Sequence, residues 1–193
     1  MDRDLFDPAG GLPAGFAFVP DFLGPKEEVA LLEAIAALRF EAARYHQYEA
    51  RRRVVHFGGS YDYDAGRLDA AAPIPGWLAP LGARIAVLMQ VAPESIHHAL
   101  VAEYRPGTPL GWHRDVPDFE AIGGVSLLGH ARMRLRPYPH AKGDRFALDV
   151  SLPPRSAYAM RGPARWEWQH AIAATRTLRY SITFRTLRGN AGC

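Results

Sequence analysis

Tyr104-Arg-Pro-Gly-Thr-Pro-Leu-Gly-Trp-His113-Arg-Asp115 reads as a strand, a Pro/Gly turn and a second strand that ends in a histidine and an acid two residues apart. In an extended chain, side chains at i and i+2 project from one face. His113 and Asp115 are thereby placed to offer an imidazole and a carboxylate to one metal ion. Another histidine stands in Trp166-Glu-Trp-Gln-His170-Ala-Ile172, where Trp166, Trp168 and His170 share a face if the segment is a strand. Two histidines and a carboxylate form the facial triad that suits non-haem Fe(II) and leaves coordination positions open. Alone, a His-x-Asp pair is a weak signal, because eight histidines and twenty acids make chance pairs common.

The pair gains weight from Arg179-Tyr-Ser181-Ile-Thr183-Phe-Arg185, which alternates with period two. Arg179, Ser181, Thr183 and Arg185 face one way, and Tyr180, Ile182 and Phe184 the other. A polar row with an arginine at each end is costly to point into a barrel interior unless something anionic is held there. Guanidinium forks bind carboxylates bidentately. The two arginine α-carbons lie roughly 20 Å apart at about 3.3 Å per strand residue, so long side chains reaching inward would take opposite ends of a dicarboxylate.

His-x-Asp, a later His, Arg-x5-Arg in a C-terminal strand and Tyr104-x-x-Gly107 together resemble the AlkB family of Fe(II)/2-oxoglutarate dioxygenases. The segment Arg165-Trp-Glu-Trp-Gln-His170 is also similar to that family's lead-in to its second histidine. The resemblance is dense from Tyr104 to Arg188, looser over residues 44–64 and not traceable in the first forty residues. It implies that His113, Asp115 and His170 bind iron, that Tyr104, Arg179 and Ser181 hold the distal carboxylate of 2-oxoglutarate, and that Arg185 holds its metal-side end. It also implies oxidative decarboxylation with O2, giving succinate and carbon dioxide, and hydroxylation of an N-alkyl carbon that then leaves as an aldehyde. One departure is Ala102, where the family commonly has Asn. The loss of one hydrogen bond, on the order of 1 kcal/mol net, predicts weaker co-substrate binding. Ser181 stands where many members have Asn and still carries a donor.

The 193 residues, 48% of them hydrophobic, suit one domain spanning 1–193 with a substantial core. The N-terminus lacks a signal-peptide layout and no run of eighteen apolar residues occurs, which predicts a cytoplasmic protein that does not engage a membrane. The single cysteine, Cys193, offers neither an internal disulfide nor a cysteine metal cluster. A net charge of +3 tolerates a polyanionic partner without demanding one. A monomer is expected.

Phe16 to Val19 is a strand candidate, and Pro25 opens a helix through Leu38 with Val29, Leu32, Ile35 and Leu38 along one stripe. A second helix is predicted over Pro75 to Val91, with Pro80 in its first turn and Trp77 in the core. Between them, residues 44–63 mix cations with aromatics, as in Arg51-Arg-Arg and Tyr61. Such a mixture pairs with phosphates and stacks on unpaired bases. The family resemblance implies a lid over the substrate here, against the plainer reading of an edge hairpin with solvated arginines. Candidate substrate contacts are Arg51, Arg52, Tyr61, Trp112, Asp118 and Arg161, with Asp118 assigned by the resemblance. Arg132, Arg134 and Arg136 alternate along one strand, either as a phosphate track or as a solvated outer face. Arg165 matches the family motif; otherwise it makes a structural ion pair. Phe146 to Val150 and Ala157 to Met160 supply further strands.

Eight or so short strands with two preceding helices predict a mainly β, α+β fold, a double-stranded β-helix or jelly roll with helices buttressing one sheet. Three functions are consistent with these features. The first is dealkylation of N-alkylated bases in DNA or RNA with Fe(II), 2-oxoglutarate and O2. The second is the same chemistry on a protein or small molecule, and the third is a catalytically silent binding barrel. Which alkyl lesion, which polymer and whether single or double strands are not encoded legibly.

Overall fold

The computed structural model of the chain describes residues 11–45, 48–62, 66–141, 143 and 145–189. Positions 46, 47 and 63 of the cationic and aromatic segment, and Cys193, lie outside them. In chain order the elements are β1 (Phe16–Val19), α1 (Pro25–Ala36), β2 (Glu41–Tyr45), β3 (Tyr48–Phe57), β4 (Gly59–Asp62), β5 (Arg67–Ala70) and α2 (Ala79–Met89), the last preceded by a 3-10 turn at Gly76–Leu78. There follow β6 (Ile96–Tyr104), β7 (Leu110–His113), β8 (Phe119–Leu127), β9 (Ala131–Pro137), β10 (Leu148–Leu152), β11 (Ala157–Met160), α3 (Pro163–Trp166), β12 (Trp168–Ile172) and β13 (Arg179–Leu187).

Two antiparallel sheets face each other as a jelly roll, as the strand pattern predicts. The larger has seven strands in the order β1-β11-β8-β13-β6-β3-β2, and the smaller four in the order β10-β9-β12-β7. The alternation in β13 decides what each face touches. Ile182 and Phe184 enter the apolar layer beneath the helices with Ile35, Leu78, Ile85 and Met89, while Arg179, Ser181, Thr183 and Arg185 are buried on the opposite, interior face. Each fully buried side chain such as Phe184 contributes roughly 1.5–3 kcal/mol, which offsets the cost of the interior polar row.

Gly123 and Gly124 let β8 be approached closely from both sides. A Cβ at Gly123 would meet Ile85 Cγ2 of α2 at 2.4 Å, and one at Gly124 would meet the Tyr158 ring at 2.6 Å.

Several local expectations need correction. Val29 is 55% exposed, and the buried stripe of α1 instead carries Glu28, whose carboxylate accepts from Leu128 N at 2.8 Å and from Arg155 Nη1 at 3.1 Å. An acid is tolerated there because both its oxygens are satisfied. Trp166 closes α3 rather than opening a strand, so it does not share a strand face with His170. Phe146 precedes β10 and is exposed. The predicted second helix begins as the 3-10 turn, with Pro80 in the first turn of α2 and Trp77 packed against the core as expected.

Candidate metal and co-substrate site

β7 ends at His113, and Asp115 follows in the loop beyond it. Register does the rest: His170 of β12 pairs with His113, with a bulge between His170 and Ile172. The ligand atoms of His113, Asp115 and His170 lie within 4.8 Å of one another. His113 Nδ1 donates to Gly111 O at 2.8 Å, which leaves its Nε2 lone pair for a metal. Asp115 receives Arg185 Nε at 2.9 Å and Nη2 at 2.8 Å on Oδ1, while its Oδ2 faces His170 Nε2 at 3.6 Å.

The protonation states match a ligand set. Burial pushes His170 down to about 3, and burial also lowers His113. Burial alone would raise the Asp115 carboxyl, but the Arg185 guanidinium outweighs it and holds the group well below the usual carboxylate range. Neutral imidazoles with an ionised carboxylate are the forms a divalent metal requires. Two nitrogens and one oxygen on one side suit Fe(II).

Next to the triad a cleft is lined by Tyr104, Tyr158, Arg179, Ser181 and Thr183. Arg179 is 2% exposed. Its Nε donates to Ser126 Oγ at 3.0 Å and its guanidinium lies 4.9 Å from the Tyr104 ring centroid. Among the described residues, its buried Nη1 has no hydrogen-bond partner. A buried cationic donor left open beside a tyrosine and a serine hydroxyl fits a carboxylate. Burial would raise the Tyr104 phenol, but Arg52 and Arg179 beside it hold it below its ordinary value. Ala102 lies in the same cleft, and Arg52, one strand over, reaches Tyr104 Oη at 3.4 Å.

Arg185 lines the same cleft beside the triad. Besides contacting Asp115, its Nη1 lies 3.1 Å from His98 Nδ1 and 3.0 Å from Thr183 Oγ1. His98 in turn meets His56 at 3.3 Å. Neither histidine, nor Ser126, stood out in the sequence. Among the described residues, Arg165 makes backbone contacts in place of the ion pair its motif left open. Its Nη2 lies 2.7–3.1 Å from the carbonyl oxygens of Asp115, Val116 and Phe119 and fastens the ligand-bearing loop.

The triad opens into a cavity of about 850 Å³ whose walls include Arg52, Val54, His56, Tyr61, Arg114 and Phe119. β3 joins the large sheet through β6, and β2 and β3 form an edge hairpin that walls this cavity. Of the candidate substrate contacts, Arg52 and Tyr61 line it. Arg51 is exposed on the face of β3 opposite Arg52. Trp112 faces outward beneath Arg134 and Arg136. Asp118 is half-buried with its carbonyl accepting from Arg188 N at 2.7 Å, and Arg161 lies against the turn at Gly15. These four are not wall residues of the cavity.

A family model for the 2OG-Fe(II) oxygenase superfamily matches residues 15–185. The chain is 27% identical over 198 residues to the tRNA (carboxymethyluridine(34)-5-O)-methyltransferase alkbh8 of Xenopus tropicalis, covering 98% of this chain and 30% of that protein. It is 30% identical over 190 residues to the alkylated DNA repair protein ALKBH8 homolog of Arabidopsis thaliana, covering 87% of this chain and 53% of that one. It therefore spans about a third to a half of the length of these curated relatives. The solved structure of OsALKBH1 superposes with a TM-score of 0.71 at 17% identity, over 91% of this chain and 97% of that one, which shows the shared fold. No helix among the described residues is long and apolar enough to cross a membrane.

Proposed function

Because the chain belongs to the 2OG-Fe(II) oxygenase superfamily, as an AlkB-like member, we propose that it oxidatively dealkylates N-alkylated bases in DNA or RNA. The observation that carries this reading is the His113, Asp115 and His170 cluster lying between an arginine-ended cleft and a cavity walled by Arg52, His56 and Tyr61. His113, Asp115 and His170 would hold Fe(II), and Arg179, Tyr104 and Ser181 would hold the distal carboxylate of 2-oxoglutarate. When bound, iron, 2-oxoglutarate and O2 supply the oxidation: the co-substrate becomes succinate and CO2, and an N-methyl carbon becomes N-hydroxymethyl, which departs as formaldehyde.

The chain's own residues supply geometry and a dry setting. Arg185 holds one carboxylate oxygen of Asp115, which would leave the other for a metal. Gly111 O fixes the tautomer of His113. Arg165 holds the backbone on which Asp115 sits. Phe119 and Val54 give the cavity apolar wall area against which a base ring can lie, and Arg52 and Arg114 bring positive charge to a polyanion.

The test is succinate release with reconstituted protein on oligonucleotides carrying 1-methyladenine or 3-methylcytosine. Lesion-dependent succinate with matching formaldehyde supports the reading. Iron- and 2-oxoglutarate-dependent turnover that no methylated oligonucleotide stimulates overturns it in favour of a protein or small-molecule substrate.

A further inference from the structure

The outward face of the four-stranded sheet is organised around Trp112. Across the strands, Arg134 of β9 pairs with Ala171 of β12, and Arg136 with Gln169. Ala171 presents only a methyl group, so the two arginines extend over it to the next strand but one. Their guanidinium carbons lie 5.3 and 4.4 Å from the Trp112 ring centroid on β7. At the same end of the sheet Arg114 lies 3.7 Å from the Tyr138 ring centroid. Arg132 continues the row, with its side chain 56% exposed. Tyr138 adds aromatic surface at 42% exposure.

Charge on this face is unbalanced. Arg114, Arg132, Arg134 and Arg136 are set against Asp149, which stands 3.6 Å from Arg132 and 3.4 Å from Arg134, with Glu167 exposed at the rim. Exposed ion pairs at such distances and exposed cation–π contacts each contribute little to stability. Neither accounts for gathering like charges on one surface. Guanidiniums already extended over aromatic rings lose less freedom when a phosphate arrives, and alternate strand residues stand about 7 Å apart, close to the step between successive phosphates of an extended strand.

We infer that this outward face is a track for the backbone of a single-stranded polynucleotide. Arg114 is the junction, since it both lines the cavity and stacks on Tyr138. A strand with one nucleotide in the cavity would run its neighbours past Arg114 onto Trp112, Arg136 and Arg134. The inference rests on the nucleic-acid reading above and names its substrate class as single-stranded chains several nucleotides long.

The experiment is fluorescence anisotropy on the full chain with labelled single-stranded 20-mers, one RNA and one DNA, across a salt series. The triple variant R132Q/R134Q/R136Q is expected to weaken binding at least tenfold. It should also reduce the slope of log K against log salt by about 2, at roughly 0.7 per phosphate released. KM for the methylated 20-mer should rise more than kcat falls, and more than KM for a methylated trinucleotide. The variant R134K/R136K keeps the charge and should retain the wild-type slope, which separates charge from folding damage. The polymer with the larger loss is the one the track serves. An unchanged slope and affinity in the triple variant, with wild type still binding, overturns the track alone. A wild type that binds neither polymer overturns it together with the reading on which it rests.

Discussion

Arg185 donates to His98 Nδ1 at 3.1 Å, and that contact sets the tautomers of two histidines. A guanidinium only donates, so His98 Nδ1 accepts and its proton sits on Nε2. His98 Nε2 then donates to His56 Nδ1 at 3.3 Å, which puts the remaining His56 proton on Nε2. A hydrogen-bonded chain thus runs from the Asp115 carboxylate through Arg185 and His98 to a wall of the large cavity.

That chain needs neutral imidazoles, and acid should break it. Burial, then Arg185 and Arg52, push His56 down to about 4 from an ordinary 6.5. Between those values the unfolded chain carries the proton and the folded one does not, so stability rises with pH across that interval and is lost as pH falls from about 6.5 towards 4. The full effect for one such group is at most about 3 kcal/mol. Urea denaturation of the metal-free protein at several pH values should show this slope, and H56Q should lessen it by one group's share, the lowered His98, His113 and His170 keeping the rest. An equal slope in H56Q would refute the assignment.

Replacing Asp115 with alanine removes a metal ligand and leaves Arg185 buried without its carboxylate. D115A should retain no iron after dialysis, measured by elemental analysis. It should also lose about 3–5 kcal/mol of stability even without metal, the cost of orphaning one member of a buried pair.

Arg179 tests the co-substrate cleft. R179Q removes a charge-assisted contact worth about 1.5–3 kcal/mol, which is roughly a 10- to 100-fold weaker affinity for 2-oxoglutarate. Calorimetry under anaerobic conditions reads this directly, and iron content should be unchanged. Wild-type affinity in R179Q would remove Arg179 from the site.

Arg165 is expected to act through position alone. R165M leaves three loop carbonyls without their donor, so the segment carrying Asp115 should loosen. Faster hydrogen exchange over residues 115–119 and weaker iron retention are the expected results, with 2-oxoglutarate affinity affected less than in R179Q.

The interior row of β13 was legible because strand periodicity fixes which side chains share a face and Arg-x5-Arg is spaced by that period; His-x-Asp marked two of the triad although Asp115 lies in the loop past the end of β7, not in a strand as expected. The sheet order was not legible, since the pairing of His170 with His113 is a long-range choice that no local pattern encodes. Glu28 in the stripe of α1 was missed because its partners, Leu128 N and Arg155, are distant in sequence. The edge hairpin of the plainer reading is what β2 and β3 form at the end of the large sheet, and it also walls the cavity. Trp112 was a candidate substrate contact in the sequence, but the structure turns it away from the cavity and under Arg134 and Arg136.

At Gly123 and Gly124 strand β8 is one bare peptide thick, with Ile85 and Met89 leaning on one side and Tyr158, a wall of the cleft, resting on the other. The cleft therefore inherits its shape from a helix that never touches it. Enlarging Ile85 would press on that peptide and through it on Tyr158, making α2 a remote adjustment of the chamber beyond.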